Sequence, residues 1–264
     1  LSEMMIPEFL PFGPAFVIEN TIRVLVVADT HFGAETGLAR HGLHIKSNSS
    51  DRLSRLMKCI EVSKCDLLVL LGDVKHSIPV TTRQEYRELP DIIEKIRSKT
   101  DFRVLPGNHD VGIEKFLKEG ELLPKEGSVI DGTGYMHGHT YPSEDLLGKL
   151  IVTGHTHPVL CLYDDVGCSL KSQPAYVLSR IDPKSVRIKT SGVIKEKIEK
   201  TRVLFVPAFF ELAGGIDVRE IKKSGLGPLS RCIDEDSAEV FLSDGTYIDS
   251  LKGLMRDECD RASG

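Results

Sequence analysis

Five points along the chain end a run of apolar residues with side chains of the kind that bind metals. They are Asp29 and His31 in VLVVADTHFG, Asp73 in LLVLLGD, Asn108, His109 and Asp110 in FRVLPGNHD, His137 and His139 in YMHGH, and His155 and His157 in LIVTGHTHP. Carboxylates and imidazoles together suit a divalent cation. So many imidazoles favour Mn²⁺, Fe, Zn²⁺ or Ni²⁺ over Mg²⁺ or Ca²⁺. In a strand, residues two apart share a side, so Asp29 and His31 can meet one ion and His155 and His157 can flank a pair. Glycines 72, 107, 138 and 154 allow sharp turns and keep side-chain bulk out of the same place. One Asp-x-His arises easily by chance; five strand ends of this kind in one chain do not.

The elements that must position these residues follow from the pattern around them. Residues 22–28 read as a strand, 50–64 as a helix capped by Ser50 or Asp51, and DLLVLLGD as a second strand. TTRQEYRELPDIIEKIRSK reads as helix, interrupted or restarted at Pro90, before a third strand in FRVLPGNHD. This β-α-β-α-β order with nearly continuous apolar strands predicts a parallel sheet covered on both faces. In such sheets ligands gather at the carboxyl ends of the strands, where all five motifs lie. GSVIDGTGYMHGH and LLGKLIVTGHTHP read as two more strands. Beyond residue 158 the segments VLCLYDD, AYVLSRI, SVRIKTS, RVLFVPAF, AEVFLSD and TYIDSL are short and alternating, as in a second, mainly antiparallel sheet. The Lys- and Arg-bearing run 184–202 reads as a solvated hairpin.

Composition narrows the class. The 264 residues are 41 % hydrophobic with a formal net charge of −5, enough for a substantial core and too acidic overall for a general nucleic-acid trap. No apolar run is long enough to span a membrane, and the N-terminal stretch LSEMMIPEFLPFGPAF lacks the basic and apolar regions of a signal peptide. The six cysteines form no CxxC pair and read as reduced thiols, which places the chain in the cytoplasm as an expectation. There is no Walker A motif and no GxSxG elbow, and GLGPLS at 225–230 is too short for a dinucleotide loop.

D-x-H, G-D, G-N-H-D, H-G-H and G-H-T-H, in this order, resemble the calcineurin-like metallophosphoesterase superfamily. The resemblance implies an α/β fold, a four-layer α-β-β-α sandwich of two mixed sheets, in a single domain over 1–264. Its motif-bearing part is about 22–158, with further strands and a C-terminal extension in 159–264. It implies two divalent metal ions, Mn²⁺ foremost. Asp29, His31 and His157 would hold the first, Asp73 would bridge, and Asn108, His137 and His155 would complete the second. His137 is chosen over His139 because the first histidine of H-G-H is usually the ligand. His109 would stand by the substrate and donate to a phosphoryl oxygen or the leaving group, while Asp110 would hold the turn.

The stretch GDVKHSIP places His76 where protein phosphatases of the superfamily carry a second Asp followed by Arg-Gly. It is similar to the SbcD-type repair nucleases, and with PAFFELAGG to an SbcD-related phosphoesterase group typical of archaea. There His76 would help to place DNA, its alternative being support of the metal ligands. Lys75 is a candidate phosphate contact. The expected activity is hydrolysis of phosphodiesters in DNA, RNA or nucleotides. The alternatives are a phosphomonoesterase or cyclic-nucleotide phosphodiesterase and, from another class, a non-catalytic protein-binding scaffold. The hundred or so residues after 158 leave little beyond the second sheet to recruit the ATPase of the large repair nucleases.

Overall fold

The computed structural model describes residues 7–35, 46–163, 169–182 and 199–262. The first sheet takes strands β1 (Glu8–Phe9), β2 (Ala15–Glu19), β3 (Arg23–Ala28), β4 (Leu67–Leu71) and β5 (Asp101–Val104) in chain order. β3, β4 and β5 run parallel, with Val24 opposite Leu67 and Leu67 opposite Asp101. The crossovers carry helices α1 (Ser49–Ser63) and α2 (Arg83–Arg97).

The second sheet is built around β6 (Ser128–Ile130), β7 (Thr133–Met136), β8 (Leu150–Thr153), β9 (Pro158–Tyr163), β10 (Ser169–Arg180) and β11 (Arg202–Phe205). Its order is β9-β10-β11-β8-β7-β6, flanked by β12 (Ile216–Asp217) on β9 and by β13 (Glu239–Leu242) on β10, with β14 (Tyr247–Ser250) on β13. β7, β8 and β11 are parallel; β9, β10, β13 and β14 pair antiparallel.

Alternation along each strand explains the layers. Val24, Val26 and Ala28 of β3, with Val69 and Leu71 of β4, meet Tyr135, Val152, Tyr176 and Leu204 of the second sheet. The intervening Leu25, Val27, Leu68 and Leu70 face Leu53, Leu56 and Ile60 of α1 and Leu89, Ile92, Ile93 and Ile96 of α2. Strands buried on both faces need apolar residues at every position, which is why these runs are unbroken. The far face of the second sheet, with Ile151, Val177, Val203 and Val240, is covered by Val218, Ile221, Leu229 and Leu251; the last begins α3 (Leu251–Ala262). Helices, sheet, sheet and helices make the α-β-β-α sandwich expected.

Three local readings change. α2 runs through Pro90 without a break. Pro90 lies on the exposed side, and the opposite face is anchored by Leu89, Ile92, Ile93 and Ile96, so the lost backbone bond is tolerated. α1 starts after Asn48, not Ser50 or Asp51, and has no side-chain cap. The Ser49 hydroxyl turns to the Gly33 N–H instead, at 3.3 Å. The stretch 127–139 is a hairpin, β6 and β7, turned at Asp131 and Gly132, both with positive φ. SVRIKTS and most of the basic run 184–202 lie outside the described residues.

Candidate metal centre

The carboxyl ends of β3, β4, β7 and β8 converge with the loop after β5. The loop after β3 is zipped to the loop after β4: Asp29 N–H donates to Gly72 O, His31 N–H to Asp73 O and Phe32 N–H to Val74 O, at 3.2, 2.8 and 2.8 Å. This pairing continues the sheet as it opens and sets Asp29 beside Asp73. The turns needed are severe. Asp29, His31, Asp73, His155 and His157 all have φ between 43° and 68°, a region that costs side-chain-bearing residues energy.

Among the described residues three groups of potential ligand atoms result, two of them made of the expected ligands. Asp29, His31 and His157 bring one atom each within 4.8 Å of one another, and so do Asp73, His137 and His155. Asp73 serves both sides. Its Oδ2 lies 3.8 Å from His31 Nε2 and its Oδ1 3.6 Å from His137 Nε2. The Asp73 Oδ1 also accepts the His109 backbone N–H at 2.8 Å. Gly107 has to be glycine here, since a Cβ on it would sit 2.1 Å from Asp73 Oδ1.

The hydrogen bonds around these atoms test whether a cation belongs. His137 Nδ1 donates to Leu71 O at 2.8 Å, which leaves Nε2 as a bare lone pair. That nitrogen faces Asn108 Oδ1 at 3.2 Å and Asp73 Oδ1 at 3.6 Å, the latter oxygen already taking the His109 N–H. Asp29 Oδ2 is satisfied by the His155 N–H at 3.0 Å, whereas Asp29 Oδ1 and His157 Nε2, 3.1 Å apart, are buried and find no aligned hydrogen bond among the described residues. Buried acceptors left in this state are costly unless a metal satisfies them. The donor set therefore fits divalent ions.

The electrostatics prepare the same state. Burial, reinforced by the neighbouring His137, pushes His155 down to about 4, and burial likewise lowers His31, so both imidazoles are neutral lone-pair donors at pH 7. Burial opposes ionisation of Asp29, but the adjoining His157 overrides it and holds that carboxyl below the usual range.

All seven expected ligands thus come together at one place, and His109 joins them. The His109 ring stacks on His76 at 5.3 Å, its Nδ1 bonds to the His76 carbonyl, and its Nε2 lies 4.0 Å from Asp73 Oδ2. Asp110 is buried behind them and holds the turn: its Oδ2 accepts from Gly107 N at 2.8 Å and its Oδ1 from Lys75 N at 3.1 Å. Burial, with Asp73 nearby, raises it to about 6. His139 packs on the outer side of His137 and His155 and belongs to neither ligand group.

Lys75 corrects a sequence expectation. It is fully buried, with its Nζ bound to the Ser77 carbonyl, so it cannot reach a phosphate. The polar backbone of a loop turning under the centre draws the ammonium inward.

A cavity of about 340 Å³ opens over the centre between His31, Asp73, His76, Asn108, His109, His155 and His157 on one side and Ala213, Ile216 and Leu226 on the other. The segment after β11 supplies that second wall and also braces the first ligand loop. Phe210 N–H donates to Asp29 O at 3.2 Å, and the Phe210 ring lies 4.2 Å under the guanidinium of Arg52. Arg52 is entirely buried and donates to His31 O at 3.0 Å and to Glu35 at 3.1 Å. Sequence reading missed Arg52 and Glu85, a buried carboxylate at the start of α2. Only Glu85 left a signal, the T-x-x-E spacing from Thr82 that marks a helix start.

The family model of calcineurin-like phosphoesterases matches residues 22–165. Among solved structures the chain is similar to the nuclease MPE of Pseudomonas putida, at 19 % identity and a TM-score of 0.54 over 90 % of this chain and 96 % of that one. It is also similar to Yfce, a phosphoesterase from E. coli, at 17 % identity and a TM-score of 0.35 over 53 % of this chain and 73 % of that one. At these identities the first likeness is one of fold. No curated protein matches the chain significantly. No helix among the described residues is long and apolar enough to cross a membrane.

Proposed function

The chain belongs to the calcineurin-like phosphoesterases, and from that premise we propose that it is a metal-dependent phosphodiesterase acting on nucleic-acid or nucleotide phosphodiesters. The observation that carries this reading is Asp73, whose two carboxylate oxygens each face a separate group of ligands. Asp29, His31 and His157 would hold one ion, Asn108, His137 and His155 the other, and Asp73 both. Mn²⁺ is the expected occupant, with Fe, Zn²⁺ and Ni²⁺ as alternatives of compatible softness. A pair of such ions lowers the pKa of water and offsets the charge of a phosphoryl group under in-line attack.

The protein's own part is positioning. The ligand side chains come from rigid strand ends, and their geometry is enforced by backbone bonds between the β3 and β4 loops. His109 has its Nδ1 tied to the His76 carbonyl and borders the cavity, so its Nε2 is the atom that can reach a phosphoryl or leaving-group oxygen. A second reading, hydrolysis of small phosphoesters, is favoured by the apolar wall of Ala213, Ile216 and Leu226, which suits a compact organic group beside the phosphate.

A panel of metals and substrates separates the readings. Protein stripped with a chelator is expected to be inactive and to regain activity with Mn²⁺, its melting temperature rising as the ions return. Refilled protein is expected to cleave bis-p-nitrophenyl phosphate faster than p-nitrophenyl phosphate, and to cut single- or double-stranded DNA. Preference for the monoester moves the assignment to the second reading. Two bound ions with no hydrolysis of any ester under Mn²⁺, Ni²⁺, Zn²⁺ or Mg²⁺ would leave a binding scaffold.

A further inference from the structure

We propose that Glu85 is a positioning residue of the metal centre, acting through His76 to fix which ring nitrogen of His31 and of His109 carries the proton. The inference rests on the two-ion reading above.

Glu85 is fully buried in the first turn of α2. Its Oε2 does what a helix start asks, accepting Thr82 N–H at 2.6 Å and the Thr82 hydroxyl at 3.0 Å. Its Oε1 does something no helix start requires. It accepts the backbone N–H groups of His76 and Ser77, at 3.0 and 2.7 Å. The carboxylate thus pins the peptide that carries His76. Gly33, the last residue of the VLVVADTHFG stretch, makes room for it: a Cβ there would lie 2.5 Å from Glu85 Cγ, and its φ is +84°.

The pinned peptide touches two histidines. The His76 carbonyl accepts from His109 Nδ1, so the other nitrogen of His109 is left for the substrate. The His76 ring places its Nδ1 3.3 Å from His31 Nδ1. His31 turns its Nε2 towards Asp73 Oδ2, and a lone pair on that nitrogen is what an ion needs. A neutral His31 then has its proton on Nδ1 and donates it to His76 Nδ1. His76 in turn has to be bare at Nδ1 and protonated at Nε2. A metal ligand oriented by a neighbouring imidazole, which is itself aimed by a buried carboxylate, gives His76 a role that requires no contact with DNA.

The test reads protons directly. In ¹⁵N-labelled, Zn²⁺-loaded protein, two-bond ¹H–¹⁵N imidazole spectra should show His31 and His109 protonated at Nδ1 and His76 at Nε2. Glu85→Gln, which cannot accept at all four donors, should keep two ions per chain, mix the tautomers of His76 and His109, and lower kcat on bis-p-nitrophenyl phosphate by about 10- to 100-fold. Thr82→Ala removes the capping hydroxyl and leaves the Oε1 bonds. It should lower the melting temperature with tautomers and kcat unchanged, which separates positioning from helix stability. A His76 protonated at Nδ1 in the unsubstituted protein overturns the proposal even if Glu85→Gln does not fold. So does a Glu85→Gln protein with unchanged tautomers and kcat. A third ion per chain, lost in His76→Ala, would also overturn it, since His31, His76 and His109 lie close enough to hold one themselves. The tautomers are recorded without reference to turnover, so an inactive protein with the expected spectra would count against the phosphodiesterase reading alone.

Discussion

Asp73→Asn is expected to lose both metal ions and phosphoesterase turnover together. The amide keeps the shape of the carboxylate but halves its acceptors and removes its charge. One of the two directions now served by an oxygen, towards His31 Nε2 or His137 Nε2, would receive N–H donors that repel a cation. No neighbouring group can take over, because the other carboxylate of the centre, Asp29, already gives one oxygen to the His155 N–H. The fold should survive. Burial raises the pKa of Asp73, so its ionised form at pH 7 is a cost to the folded chain, and the neutral amide removes that cost. Chelated protein should therefore melt no lower than its parent, and the rise in melting temperature on adding Mn²⁺ should vanish. Elemental analysis and bis-p-nitrophenyl phosphate turnover check the rest. Two retained ions with a near-normal rate would sink the bridging role.

His109→Ala should separate metal binding from chemistry. His109 gives the two expected ligand groups its backbone N–H, to Asp73 Oδ1, and alanine keeps that bond. Two ions per chain should remain. Turnover should fall by about 10²-fold or more, the usual result of losing a proton donor or a charge stabiliser at the reacting phosphate. The size of the loss should depend on the leaving group. Nitrophenolate departs without help, so its ester should suffer less than a diester whose leaving oxygen must be protonated. Equal losses would assign His109 to the phosphoryl oxygen. Metal content falling in step with activity would show that His109 holds an ion after all.

The candidate ligands were legible because each lies where an apolar run stops. Hydrophobic continuity announces a buried strand, and a carboxylate or imidazole at its tip has no packing reason to be there. The same runs announced two sheets, while their stacking as a sandwich was implied by the resemblance to a known family. What stayed hidden depends on partners far along the chain. Lys75 reads as a surface cation until the loop turns its ammonium onto the Ser77 carbonyl. Arg52 lies on α1 among residues of ordinary helical period, and nothing local says that its guanidinium will be buried against the His31 carbonyl and the Phe210 ring. Pro90 breaks helices in isolation, but an apolar face anchored in the core overrides it. The hairpin at Asp131-Gly132 was different, since an Asp-Gly pair is a local turn signal and was there to be read.

Among the described residues, seven other than glycine have positive φ, and five of them are Asp29, His31, Asp73, His155 and His157. For anyone engineering a hardier version of this chain, these are the first positions that a search for strained backbone would choose. Glycine there would relieve on the order of 1 kcal/mol apiece. Each such gain would delete a proposed ligand. The same arithmetic runs through descent. A lineage that stopped using its ions would lose the only reason to keep side chains at these five turns, and drift would exchange them for residues the backbone prefers. Its retired descendants should be the sturdier proteins, with resistance to heat marking the loss of the reaction.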